Sequence, residues 1–79
     1  MNAKDRKSVI DLQAKLSEVR DALDILATEL QYRHDNLPES FQEGEQGTKL
    51  WEQSDEMCNI VNDLDDILSR LNDLMEGGG

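Results

Sequence analysis

The apolar residues of this 79-residue chain fall into two unbroken heptad rows separated by a turn region that holds its one proline. In the first row Val9, Leu12, Leu16, Val19, Leu23, Leu26 and Leu30 recur at alternating steps of three and four. In the second, Met57, Val61, Leu64, Leu68, Leu71 and Met75 follow at steps of four and three. A spacing of about 3.5 residues keeps one stripe of a helix turned toward another helix, as in a coiled coil. The pattern predicts an all-α fold, two long antiparallel helices forming a single helical-hairpin domain over residues 1–79. Helix 1 is expected over about 4–36, the turn over about 37–47, helix 2 over about 48–76, and a glycine tail over 77–79.

The second helix carries a further row, Ile60, Leu64, Ile67, Leu71 and Leu74, which shares Leu64 and Leu71 with the first. Two stripes require two neighbours, and a lone hairpin supplies one. The expected consequence is self-association through this row, most simply a homodimeric four-helix bundle or coiled coil. The competing reading is a monomer that keeps the wide face for a different protein. Helix 1 widens its own apolar face with Ile10, Ala22, Ile25 and Ala27.

Local signals place the helix ends. Asn2 or Ala3 should begin helix 1, with Asp5 near the positive end of its dipole. Asp11 with Lys15, and Glu29 with Arg33, have the spacing of favourable i,i+4 pairs. Pro38 pushes Leu37 out of the helical region and suits the start of a new turn. Gly44 and Gly47 punctuate the connection, and Thr48 is the expected N-cap of helix 2. The three aromatics, Tyr32, Phe41 and Trp51, all belong to the turn end. They read either as a plug, with Leu37 and Leu50, or as a recognition surface of Leu37, Pro38, Phe41 and Trp51.

Charge changes the picture more than composition does. Residues 1–33 hold six basic and six acidic side chains, whereas residues 34–79 hold two basic (Lys49 and Arg70) and twelve acidic. The second half therefore carries the whole net charge of −10. Such a surface repels nucleic-acid backbones and anionic membranes, and suits a basic protein or simple solubility. No stretch approaches the roughly 18 apolar residues of a membrane span, and the basic N-terminus lacks the apolar run of a secretory leader. The single Cys58 rules out an internal disulfide and fits a reducing cytosol. A cytoplasmic location is the expectation.

No chemistry-bearing motif emerges. Glu52, Asp55, Glu56, Asp63, Asp66 and Asp73 form an acidic stripe on helix 2. Asp55, Asp66 and Asp73 lie opposite the leucines and should face water, not an inward metal site. There is no Glu-x-x-His motif, no glycine for a calcium loop after Asp63, Asp65 and Asp66, and no phosphate-binding loop. His34 closes helix 1, and Cys58 reads as a small buried apolar group. The expectation is no catalytic residue, no cofactor and no metal.

The turn string Asp35-Asn36-Leu37-Pro38-Glu39-Ser40-Phe41-Gln42, with Gly47 after it and long charged helices on both sides, resembles small uncharacterised helical-hairpin proteins of phages and prophages of Gram-positive bacteria. Here Arg33-His34 precedes the string, where that group carries an aromatic or apolar residue. The resemblance implies a host-cytosol setting and brings no activity. The reading that follows is a non-enzymatic, acidic protein–protein interaction module, with the stripe presented to a basic host or defence protein as an inhibitor. Two alternatives accompany it. One is an oligomeric sponge for a small anionic ligand such as a nucleotide, held near Thr48, Lys49 and Trp51; the other is a purely structural dimeric scaffold.

Overall fold

The computed structural model describes residues 1–77 and is an all-α hairpin, 58 × 16 × 12 Å between Cα atoms. Helix α1 spans Ala3–Asp35, a short helix α2 spans Glu39–Gln42, and α3 spans Glu45–Gly77. Gly78 and Gly79 of the expected glycine tail lie outside the described residues, and Gly77 closes α3.

Helix α1 starts as its sequence dictates. The Asn2 side-chain oxygen accepts the Asp5 N–H at 2.8 Å, a cap worth about 1 kcal/mol. Arg33 and His34 sit in the last turn, against the negative end of the dipole. The helix unwinds as the Asn36 N–H reaches Tyr32 O at 3.0 Å and the Leu37 N–H reaches His34 O at 3.1 Å. Pro38, with no N–H to give, ends it. The Pro38 carbonyl then accepts from Phe41 and Gln42, at 2.8 and 3.0 Å, and so opens α2.

The connection is tighter than a plain turn over 37–47, because it folds as α2 and α3 begins three residues earlier than expected. Thr48 is not an N-cap: its N–H already donates to Gly44 O at 3.0 Å inside the first turn of α3. The glycine before it explains the difference. Gly47 is buried within α3, and a Cβ there would collide with the carbonyl and Cα of Gln42. Gly47 therefore serves close approach of backbone to backbone, not helix termination.

The helices run antiparallel, since Ala27 meets Ser54 while Arg20 meets Asp65 further back along α1 and further on along α3. Seam positions are lettered a and d of the heptad. On α3 the less exposed residues are Gly47, Leu50, Ser54, Met57, Val61, Leu64, Leu68, Leu71 and Met75, with Cys58 beside them, and they contain the whole of the expected row. On α1 they are Arg6, Val9, Gln13, Leu16, Arg20, Leu23, Ala27, Leu30 and His34. Three of the seven residues of the expected α1 row are thus replaced. Gln13, Arg20 and Ala27 enter the seam, and Leu12, Val19 and Leu26 are left at exposed g positions. The reason is steric and local. Ala27 and the fully buried Ser54, whose hydroxyl donates to Ala27 O at 3.2 Å, let the backbones come close, and that contact sets the roll of α1.

Candidate interaction surfaces

In an antiparallel pair the g positions of both helices border the same side of the seam, and the e positions border the other. Three apolar residues of α1 (Leu12, Val19, Leu26) and three of α3 (Ile60, Ile67, Leu74) therefore share one face. They are 37–54 % exposed, although each belongs to a regular apolar row. Register sets Leu12 roughly level with Leu74, Val19 with Ile67, and Leu26 with Ile60. Leu64 and Leu71, the other members of the expected oligomer row, are half-buried in the seam beneath. Toward the turn the same g positions become polar, as Arg33, Gln46 and Gln53. A shallow groove of about 300 Å³ on this face is lined by Ile67, Arg70, Leu71 and Leu74.

The e side is mixed, with Ile10, Trp51 and Cys58 among Ser17, Asp24, Gln31, Asp65 and Asn72, and ions hold its middle. The Arg20 guanidinium forks onto Asp65, with Nε to Oδ1 at 2.9 Å and Nη2 to Oδ2 at 3.3 Å. It also reaches Asp21 at 3.2 Å and Asp24 at 3.8 Å. The hydrogen bonds from Asp65 and then Asp21 raise the pKa of Arg20 above its ordinary value. Sequence reading missed Arg20, because an arginine on an apolar row looks like a surface residue. Its place seven before Ala27 and seven after Gln13 was the available signal. The two expected pairs, Asp11 with Lys15 and Glu29 with Arg33, are not among the ion pairs of the described residues.

All six residues of the acidic stripe are exposed. Glu52, Asp66 and Asp73 run along the outermost ridge of α3, with Asp55 on its far side. Glu56 and Asp63 lie on the near side, at c positions that rim the apolar face. That rim has a different charge balance from the rest of the molecule. Its c and g positions hold four acidic residues (Asp5, Glu29, Glu56, Asp63) and four basic ones (Lys15, Arg33, Lys49, Arg70). The whole net charge of −10 consequently sits on the other faces and the turn.

At the turn the aromatic plug is not built. Tyr32, Phe41 and Trp51 are each more than half exposed, because the hairpin seam rolls their positions outward. A polar clasp closes this end instead: the Gln42 amide donates to Asp35 O at 3.2 Å and to Leu37 O at 3.0 Å, satisfying carbonyls where α1 ends. Leu37 is half-buried, and Pro38, Phe41 and Trp51 remain on the surface.

His34 stands beside Trp51, Gln31 and Asp35 in one depression, with Nδ1 3.3 Å from Asp35 Oδ1. Cys58, half-buried, lies seven residues along α3 from Trp51, about 10.5 Å away. The groups suggested for an anionic ligand are not gathered. Thr48 and Lys49 share a depression with Glu43, Glu45 and Glu52, whereas Trp51 lines the separate one with His34. Among the described residues no group of three or more His, Cys, Asp or Glu side chains could hold a metal ion, and no helix is long and apolar enough to cross a membrane. Comparison of the chain with protein families, with curated proteins and with solved structures finds no match.

Proposed function

We propose that this chain works without catalysis, as an acidic protein–protein interaction module whose outer ridge engages a basic protein. The observation that carries this reading is the partition of charge. The apolar face is rimmed by balanced charges, and all ten net negative charges lie on the remaining surface. Carboxylates one to three helical turns apart along Glu52, Asp55, Asp66 and Asp73 suit Lys and Arg clusters that otherwise hold phosphates. Glu56 and Asp63 flank them. By the likeness of the turn string to phage hairpin proteins, we extend the proposal to a phage-encoded inhibitor of a basic host or defence protein, acting in the cytosol.

The test is capture of partners from a bacterial lysate on the immobilised protein, with elution by rising salt. A partner retained by the wild type, lost from a Glu52→Gln, Asp55→Asn, Asp66→Asn, Asp73→Asn variant and released by moderate salt is the expected result. Retention indifferent both to salt and to those four substitutions would refute the reading.

A further inference from the structure

We infer that the apolar face formed by Leu12, Val19 and Leu26 of α1 with Ile60, Ile67 and Leu74 of α3 is covered by the same face of a second copy of this chain. The product is a four-helix bundle joined mainly along the half of the hairpin away from the turn. This assignment does not depend on the acidic-ridge reading, and either can fail alone.

Helix periodicity supplies the first argument. A two-stranded coil needs apolar residues at a and d only, two per heptad, whereas a bundle helix with two neighbours needs a third at e or g. Helix α3 meets the second pattern, with Ile60, Ile67 and Leu74 as its third row at g; α1 places its apolar residues at d and g, because Gln13 and Arg20 occupy its a positions, and so turns its stripe toward the same side. Antiparallel pairing then brings the two g rows onto one side instead of scattering them. The chain also changes rule along its length, since Arg33, Gln46 and Gln53 occupy the g positions nearest the turn. Apolar g residues persist to Leu26 and Ile60, beside the buried Ala27 and Val61, and stop beyond them toward the turn.

The second argument is the size of the core. Ala27, Leu30 and Val61 are the only apolar side chains more than nine-tenths buried among the described residues. Three such residues are too few to hold a chain of this length alone, and small domains in that position draw on a partner. Each apolar g row of the face, Leu12 to Leu26 and Ile60 to Leu74, runs fourteen residues, or about 21 Å of helix.

Charge identifies the occupant. Two copies at −10 repel wherever their acidic surfaces meet. The one surface on which they do not is this face, where Lys15, Arg33, Lys49 and Arg70 balance Asp5, Glu29, Glu56 and Asp63. A strongly basic or strongly acidic partner would find no complementary field there. A copy of the same face carries equal numbers of both signs and can pair them across a two-fold axis, as an isologous interface requires. The groove lined by Ile67, Arg70, Leu71 and Leu74 offers a seat for an apolar side chain of the facing copy.

Light scattering after size exclusion, over a hundredfold range of concentration, tests this. The wild type is expected at twice the chain mass of 9.0 kDa, and a Val19→Gln, Ile67→Gln variant at one chain mass. Glutamine already fills g positions near the turn, so the substitution keeps a helix-compatible residue. Ile25→Asp, on an exposed position outside the face, should leave the mass at two chains. A wild type of one chain mass throughout would overturn the inference and leave the face to a different protein. So would a dimer that survives Val19→Gln, Ile67→Gln, or one that Ile25→Asp disrupts equally.

Should the glutamine variant lose its helical circular dichroism, distances between nitroxide labels on the folded protein decide instead. In a Cys58→Ser background, labels at Arg70→Cys, on the rim, should lie closer between copies than labels at Asp66→Cys on the outer ridge. The reverse order would overturn the inference.

Discussion

From Val61 to the turn, Gly47, Ser54 and Ala27 let the helices approach, and every buried residue among those described (Ala27, Leu30, Gly47, Ser54 and Val61) lies in this half, with Leu50 and Met57 half-buried between them. Toward the termini, Leu16, Leu64, Leu68, Leu71 and Met75 continue the same seam with larger residues, and none of them is fully buried. The difference teaches that seam hydrophobicity and seam closure are separate properties. Small residues close a two-helix contact because backbones can touch, whereas a leucine pair holds the helices apart and leaves its flanks wet unless more helices arrive. The turn half is complete within one chain; the open half has the apolar surplus of a larger bundle.

Substitutions in each half probe that contrast. The largest loss is expected at Gly47→Ala, about 2–3 kcal/mol, because the obstructing atoms are Gln42 backbone and not a yielding side-chain tip. Urea unfolding measures it, and an unchanged midpoint would mean the clasp is loose. In the open half, the proposed second copy would supply part of the burial of Leu64, so Leu64→Ala should cost about 2 kcal/mol at high protein concentration and less on dilution. Equal losses at both concentrations would assign Leu64 wholly to the intrachain seam. Ser54→Ala comes next, at about 1 kcal/mol for the buried hydrogen bond to Ala27 O, and the same at every concentration.

Asp65→Asn should move the midpoint least, because the Arg20 pair is open to water and screened. The pH dependence has a definite sign. Arg20 is a base whose pKa is raised in the folded state, so its contribution is full below the unfolded value and is lost only as pH climbs through the folded one. The neutral range should therefore show no transition from this group. At the turn, Trp51 should emit as a solvated indole and be readily quenched by iodide, as its 58 % exposure requires. A shielded, blue-shifted emission would restore the plug.

Much of this was legible from residue spacing. Met57, Val61, Leu64, Leu68, Leu71 and Met75 lie in the seam as their steps of three and four predict, and Asn2 caps α1. The α1 row was misread at Leu12, Val19 and Leu26 because periodicity ranks residues by hydrophobicity, and Gln13 and Arg20 rank low. What sets the roll of α1 is the bulk absent from Ala27, Ser54 and Gly47, which a hydrophobic pattern does not register. Gly47 shows the same limit. Read along the chain it is a helix stop; in three dimensions it is a gap that the Gln42 backbone fills. The acidic stripe was visible residue by residue, but its division by the apolar face needed the antiparallel register.

The clasp around Gln42 and Gly47 also dictates an order of events. Only Asn36 through Gly44 separates the long helices, so closing this end forfeits little chain entropy, and the contacts nearest the turn are local in sequence. Folding should begin there and zip outward, reaching the half with the surplus leucines last. The chain then meets a second copy as a hairpin already started and not as a loose strand of helix. The proposed dimerisation would then be the slow, concentration-dependent finish to a fast unimolecular start.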